Sequence, residues 1–163
     1  MIQRKQSLYL FIVTILCALQ IIFPLASITM EVPAEASSIA TLEDGGTYDV
    51  WGIHYMHGGG EPFYYHAILA ILATVLPVVT IFLYRKRELQ LRLCFVQGIF
   101  LLGLIGFGVM GIYRLNTMFV NSPYTIDHSL VVTAPLVAVA FLILAYKGVL
   151  KDIWLLKSAD RIR

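Results

Sequence analysis

Histidines are the residues of this sequence most able to do chemistry. His54 and His57 have the H-x-x-H spacing, Glu61 follows shortly after them, and His66 comes next along the chain. Imidazole and carboxylate groups are ligands that zinc and copper accept in proteins. The set therefore offers a metal site, and His66 with His128 offers in the same way two ligands for a haem.

A structural role for these histidines is the interpretation we favour. The segment that contains His54 and His57 is predicted as a strand, and positions three apart in a strand point to opposite faces. Such loose spacing also specifies metal sites weakly. We therefore expect no resident cofactor and assign no metal ligand firmly.

Other catalytic signatures are missing from the sequence. It contains no C-x-x-C, P-loop or dinucleotide motif and no recognisable pairing of a nucleophile with a base. Cys17 and Cys94 fall at different depths of the predicted membrane, so both are expected to be free thiols. The formal charge of +2 disfavours nucleic acid as a partner. We expect a protein that is not an enzyme.

The elements that must position these residues follow from composition. Of 163 residues, 59% are hydrophobic and 13% are charged, whereas a soluble domain has about 25% charged residues. Four long intervals lack Asp, Glu, Lys and Arg, and each holds the roughly 20 residues that cross a bilayer. We predict an all-α membrane protein, one domain over 1–163, built as an antiparallel bundle of four transmembrane helices. The predicted spans are 8–28, 64–84, 93–113 and 129–147.

Basic residues give the predicted bundle its direction. Of the twelve Lys and Arg residues, all except Arg114 fall before span one, between spans two and three, or after span four. By the positive-inside rule both termini are cytoplasmic. The loop 29–63 is then on the outer side, and the tail 148–163 is a cytoplasmic amphipathic helix. That helix either continues span four or lies along the inner interface.

Short strands are predicted in the long outer loop. The segment Thr47–Met56 is rich in aromatic and β-branched residues and has glycine-rich flanks, which indicates a strand. A second strand near Ile28–Val32 is expected to pair with it as a small hairpin. The other outer segment, 115–127, is predicted as a turn-rich connection, with a salt bridge between Arg114 and Asp127.

Small residues predict a packing face on span four. Ala134, Ala138, Phe141 and Ala145 follow the i, i+4, i+7, i+11 pattern, which keeps them on one stripe of a helix. Small residues let helix backbones approach closely in lipid. We expect this stripe to face another helix.

Prolines and polar residues within the spans are expected to be structural. Pro24, Pro77 and Pro135 are predicted to kink spans one, two and four. Thr74 and Thr80 are placed to compensate for the lost hydrogen bond near Pro77. Gln20 and Gln97 lie at different depths, so each is expected to make its own interhelical hydrogen bond or interfacial contact. No Asp, Glu, Lys or Arg lies deep in a span, which argues against an ion-coupled transporter.

Three stretches of the sequence resemble a known family. They are the opening Met1–Leu10, the stretch Tyr84–Cys94 and the close Lys147–Arg163. Together they resemble an uncharacterised family of small four-span membrane proteins from Bacteroidetes, a domain-of-unknown-function family. The resemblance covers essentially the whole chain and implies a bacterial inner membrane, and it supplies no activity. The matching positions are predicted on the cytoplasmic face: Arg4, Arg85, Gln90, Arg92, Asp160 and Arg161.

Three functions are compatible with these patterns. The first is a non-enzymatic accessory or assembly subunit whose contacts are the lipid bilayer and a membrane-protein partner, reached through helix faces or the cytoplasmic edge. The second is a redox membrane protein with a metal or haem at the outer histidines. The third is a small channel or lipid-handling protein.

Overall fold

A computed structural model describes residues 3–30, 46–55, 59–83, 86–119 and 124–160 of the chain. The part described is mostly helical and carries a small antiparallel sheet. The helices are α1 (Gln3–Ile22), α2 (Tyr64–Phe82), α3 (Arg87–Phe119) and α4 (Ala134–Asp160). The strands are β1 (Ala26–Met30), β2 (Gly46–Tyr48), β3 (Gly52–Tyr55), β4 (Gly60–Pro62) and β5 (Tyr124–His128), and a 3-10 turn (Leu130–Thr133) precedes α4.

The helices pack side by side in a ring. α1 contacts α2 and α4, and α3 contacts the same two helices from the other side. The sheet follows the end of α1 and precedes the start of α2, and we call this end of the bundle the sheet end. The opposite end, where α3 begins and α4 finishes, is called the tail end.

Within the described residues, three helical stretches are long and apolar enough to cross a bilayer. They are Tyr64–Phe82, Arg87–Thr117 and Leu130–Leu155. The apolar part of α1, Gln6–Ile22, is shorter. The chain therefore has the helices of a membrane protein, and the predicted span at 64–84 corresponds to α2.

Helix α1 ends well before the predicted limit of residue 28. It stops at Ile22 and β1 starts at Ala26, because Pro24 has no N–H and pushes the residue before it out of the helical region. Pro135 is the second residue of α4, where a missing N–H costs nothing. The kinks predicted at Pro24 and Pro135 are therefore wrong, since Pro24 follows the end of α1 and Pro135 lies in the first turn of α4.

Pro77 does lie inside a helix, and a different residue compensates for it. The ring of Pro77 leaves the Ala73 carbonyl of α2 without its usual donor. Gln97 of α3 donates its Nε2 to that oxygen at 2.8 Å. The predicted compensation by Thr74 and Thr80 is wrong, because their hydroxyls donate to the carbonyls of Ala70 and Leu76, each at 2.8 Å.

Helices α3 and α4 extend further than their predicted spans, 93–113 and 129–147. α3 starts at Arg87 and continues to Phe119, and α4 continues without a break to Asp160. The tail helix therefore continues span four, which is one of the two predicted arrangements.

The predicted stripe of α4 lies on its buried side. Ala138 and Ala145 are fully buried and Ala134 is almost so. The Phe141 ring lies 6.3 Å from the ring of Tyr9 in α1. The stripe thus packs against the first helix.

The sheet joins the two segments that were predicted as outer loops. Its strand order is β4-β3-β2-β1-β5 and every neighbouring pair is antiparallel. The pairing of β1 with β2 agrees with the predicted hairpin. The single strand predicted over Thr47–Met56 is wrong: β2 turns into β3 at Asp49, whose Oδ1 accepts hydrogen bonds from the backbone N–H groups of Trp51 (2.8 Å) and Gly52 (3.0 Å).

The predicted turn-rich connection over 115–127 is also wrong. α3 occupies its first part and β5 its last part. Residues Tyr124–His128 pair along the whole of β1, from Met30 to Ala26. The strand was missed because its pairing partner lies almost a hundred residues away in sequence.

Candidate binding pocket

A pocket of about 490 Å³ opens at the sheet end, where β4 and the start of α2 meet α3. Its volume falls in the range of ligand sites, roughly 300–1,000 Å³. Most of its wall is apolar or aromatic. The lining residues are Tyr48, Glu61, Pro62, Phe63, Tyr65, His66, Phe107, Met110, Gly111 and Arg114.

His66 is buried in this wall without a hydrogen bond to its ring. It lies in the first turn of α2, where its backbone N–H donates to the Phe63 carbonyl at 3.0 Å. The side chain is 2% exposed, and neither Nδ1 nor Nε2 has a partner among the described residues. The ring stacks on Phe107 with centroids 6.0 Å apart. A buried polar group without a partner costs free energy, so a hydrogen-bond partner for this imidazole would stabilise the protein.

Tyr48 is the second buried polar side chain of the pocket. It is 0% exposed, and its hydroxyl has no partner in the part of the chain that the structure describes. Burial, and then the nearby Asp49 carboxylate, raise the pKa of Tyr48 from 10.0 to about 12. The phenol is therefore neutral at physiological pH and keeps its proton for donation. Its ring meets Phe63 edge-on at 6.0 Å.

Gly111 makes room for the Tyr48 hydroxyl. A Cβ at this position of α3 would overlap the hydroxyl oxygen and the ring carbon that carries it. The absence of a side chain at Gly111 thus lets β2 place a hydroxyl directly against α3, in the wall of the pocket.

An ion pair stands at the rim of the pocket. Arg114 of α3 places Nη2 2.9 Å from Oε2 of Glu61 in β4. The guanidinium also lies over the Phe63 ring, 5.7 Å from its centre. The predicted pair between Arg114 and Asp127 is therefore wrong, because β4 brings Glu61 to the arginine instead.

A smaller cavity of about 90 Å³ lies behind Tyr48, between α1, α3 and the start of α4. Gln20 lines it, is 1% exposed, and has no described partner for its Oε1. The interhelical hydrogen bond expected of Gln20 is thus absent at this oxygen. Because Tyr48 lines both spaces, three incompletely satisfied polar side chains, His66, Tyr48 and Gln20, surround two neighbouring cavities.

The candidate metal ligands have separate surroundings. His54 is exposed on β3, and its Nε2 lies 3.5 Å from Oδ1 of Asp49. Glu61 is held by Arg114, and His66 is buried in α2. Among the residues that the structure describes, no three His, Cys, Asp or Glu side chains gather as metal ligands. His57 lies outside the described residues, so the complete set stays a prediction.

The two histidines considered as haem ligands are also apart. His128 is exposed on β5, which is the opposite edge of the sheet from β4. His66 lines the pocket and His128 does not. Among the described residues, the pocket therefore offers the imidazole of His66 and not that of His128.

The tail end places the family-matching residues as follows. Gln90 is buried, and its Nε2 donates to the Thr80 carbonyl at the end of α2 over 3.4 Å. Arg92 is exposed beside Trp154 of the α4 extension. Arg85 and Arg161 lie outside the described residues. For Arg4 and Asp160 the description covers the helical backbone only.

A polar cluster at the tail end was not predicted. Asp152 of α4 accepts a hydrogen bond at Oδ2 from Nε2 of Gln6 in α1 at 2.9 Å, and Arg87 of α3 lies 3.9 Å from the same oxygen. We call Gln6, Arg87 and Asp152 the tail cluster. Its sequence signal is the heptad step from Ala138 to Ala145 to Asp152, which puts the acid on the buried stripe of α4.

Fold and pocket together define a class: a small α-helical membrane protein with a five-stranded sheet at one end of its helices and a ligand-sized pocket beneath that sheet. The chain belongs to the family of the domain of unknown function DUF4293, whose model matches residues 2–162. No curated protein matches the chain.

Proposed function

We propose that this chain is a four-span protein of a bacterial inner membrane that binds a small amphiphilic molecule in the pocket at the sheet end. In this proposal the sheet lies on the outer side and both termini are cytoplasmic. It is a development of the predicted lipid-handling function, and binding, not catalysis, is the proposed activity.

One observation carries the proposal. The pocket wall holds a buried imidazole and a buried phenol, His66 and Tyr48, whose polar atoms have no partner among the described residues. The rest of the wall is largely apolar. An amphiphile whose head reaches these atoms would satisfy them and would leave its apolar part against the aromatic residues.

Two features support binding over catalysis. Glu61, the carboxylate of the pocket, is held by Arg114 at the rim. The buried Tyr48 keeps its proton, since its pKa is raised to about 12. At neutral pH, therefore, Glu61 does not act as a general base and Tyr48 does not act as an activated nucleophile.

The four-span arrangement is supported by packing and charge. Helix α1 contacts α2 and α4 as closely as the longer helices contact one another, so it belongs to the same bundle. Its apolar stretch Gln6–Ile22 is at the lower limit of length for a span. Most Lys and Arg residues of the chain belong to the tail end, as the positive-inside rule requires for a cytoplasmic face.

Cysteine labelling tests this orientation. Both native cysteines, Cys17 and Cys94, are buried, so the unmodified chain gives a low background. In intact spheroplasts an impermeant maleimide should label Thr47→Cys on the exposed side of β2, and should label Ser158→Cys only after permeabilisation. Labelling of Ser158→Cys alone in intact spheroplasts would contradict the proposed orientation.

Native mass spectrometry tests the binding function. The protein released from its own membrane in mild detergent should carry a small molecule of defined mass, and His66→Leu should lose it. His54→Leu is the matched control, because His54 is exposed outside the pocket. A wild-type chain that carries no bound mass, and that gains none when total membrane lipid is added, would contradict the proposal.

A second candidate function is the accessory or assembly subunit. The observation that favours it is a groove of about 420 Å³ between the start of α3 and the α4 extension. Trp154 lines this groove, is 69% exposed, and lies beside Glu88 and Arg92. Crosslinking in native membranes should give a stoichiometric complex with a partner protein. Trp154→Ala should lower the yield of that complex. A chain that crosslinks to no protein would remove this candidate.

A further inference from the structure

We infer that the pocket at the sheet end takes an amphiphile with an uncharged, hydrogen-bonding head and an apolar chain. This chemistry is shared by isoprenoid quinones and quinols and by diacylglycerols. The inference rests on the proposed binding function and goes beyond it, because it names the class of ligand.

Charge at the pocket disfavours an anionic head. Arg114 is the cation among the lining residues that the structure describes, and Glu61 already neutralises it at 2.9 Å. Both side chains are about half exposed, so the pair itself is worth little and can open. An anion that displaced Glu61 would, however, remain beside that carboxylate. The Asp49 carboxylate, whose field acts on Tyr48, adds to the negative charge near this wall.

Hydrogen-bonding capacity favours a neutral head with oxygen atoms. A neutral imidazole offers one donor and one acceptor, and a phenol offers a donor together with acceptor lone pairs. A carbonyl oxygen would accept from Tyr48 or from the protonated nitrogen of His66, and a hydroxyl group would also donate to the other nitrogen. A purely apolar molecule would leave these buried atoms without partners.

The apolar chain has a path along α3. Phe107 and Met110 stand at the pocket and are 40% and 65% exposed, so the pocket opens toward the outer surface of the helix. From Met110 the exposed positions Gly106, Leu102 and Ile99 continue at helical spacing toward the tail end. A Cβ at Gly106 would have no atom within 4 Å, so this row contains an open notch. A chain bound at the pocket can lie in that notch beside the surrounding lipid.

Binding of matched probes to the purified full chain in detergent tests the inference. The probes are a short-chain alkylbenzoquinone, a short-chain diacylglycerol, and the phosphatidic acid with the same acyl chains. The last two differ in the phosphate alone, so they isolate the effect of charge. At least one neutral probe should bind, and the phosphatidic acid should bind roughly tenfold or more weakly than the better neutral probe.

Two variants locate the binding. Tyr48→Phe keeps the ring and removes one hydrogen bond to the head, so the affinity for the neutral probe should fall about fivefold. Gly106→Phe fills the notch outside the pocket, so it should weaken binding of the alkylbenzoquinone and leave binding of a chain-free benzoquinone unaffected. His54→Leu is again the control and should bind as wild type does. If Tyr48→Phe disturbs folding, Gly106→Phe still tests the inference.

The outcomes distinguish failure of this inference from failure of the proposed binding function. Preference for the quinone or for the diacylglycerol supports the inference and identifies the source of the head. Tighter binding of the phosphatidic acid, lost in Arg114→Gln, overturns the inference and leaves the proposed binding function standing. If none of the probes binds, and native mass spectrometry finds no bound mass, both fail.

Discussion

The two ends of the bundle treat buried polar groups in opposite ways. At the tail end the buried side chains of Gln6, Gln90 and Asp152 have hydrogen-bond partners on neighbouring helices. At the sheet end the buried polar atoms of Tyr48 and His66 have none among the described residues. Interhelical hydrogen bonds fix the positions of helices, whereas unpartnered groups around a pocket are available to a ligand. We therefore assign stability to the tail end and binding to the sheet end.

The largest effect is expected from the tail cluster. Asp152→Ala removes the acceptor of Gln6 and the acid beside Arg87, and it leaves the buried Gln6 amide without its partner. The free energy of unfolding should fall by about 3 kcal/mol, measured by denaturation in mixed micelles. Asp152→Asn is the control, because its amide oxygen still accepts from Gln6 and should recover about half of the loss. An unchanged stability in Asp152→Ala would remove the distinction between the two ends.

Raised pH should destabilise the protein through Tyr48 at the sheet end. Burial raises the pKa of Tyr48 to about 12 from 10.0. The contribution of its neutral form to stability is then complete below pH 10 and is lost as the pH rises toward 12, which amounts to about 2–3 kcal/mol. Melting temperatures measured across this range should fall more steeply for wild type than for Tyr48→Phe. Parallel pH profiles for the two proteins would show that the phenol is not buried.

Position 111, where α3 contacts Tyr48, should tolerate no side chain. Gly111→Ala places a Cβ where the Tyr48 hydroxyl lies, so either the tyrosine or the helix must shift. We expect a loss of about 1–3 kcal/mol in stability and weaker binding at the pocket. Gly106→Ala is the matched control for stability on the same helix, because its Cβ meets open space. Equal stability of the two variants would contradict the close approach.

The smallest effect is expected midway between the two ends. Gln97→Leu leaves the Ala73 carbonyl without a donor, at a cost of about 1 kcal/mol. Pro77→Ala restores a backbone N–H that can reach the same oxygen. The penalty of Gln97→Leu, measured by denaturation in mixed micelles, should therefore be smaller in the Pro77→Ala background. Additive losses in this double-mutant cycle would show that Gln97 does not compensate for the proline.

What the sequence predicts well is governed by local composition. Uncharged apolar intervals specify the long helices, and the small residues of α4 specify its packing face, because both depend on the bilayer or on helix periodicity alone. The pairing of β1 with β2 was accessible for a similar reason, since glycine-rich turn residues flank the segment that contains β2 and β3.

The rest depends on contacts between distant parts of the chain. β5 forms only because β1 supplies a pairing edge, and Arg114 finds Glu61 only because β4 is folded onto α3. Tyr48 carries no motif, and its importance arises from Gly111, far along the sequence, which lets its hydroxyl approach α3. The family-matching stretches of the sequence fall at the tail end. Among the residues described there, Gln90 makes a contact between two helices.

The central claim is that the buried His66 ring meets a bound molecule. Nitrogen NMR of protein with isotopically labelled histidine measures this directly, with the His66 signals assigned through His66→Leu. Removal of bound lipid by detergent exchange should shift the His66 nitrogen resonances and leave those of the exposed His54 and His128 in place. Readdition of the membrane extract should restore the original signals. Unchanged His66 nitrogens in the presence and absence of the extract would contradict the assignment of the pocket as a binding site.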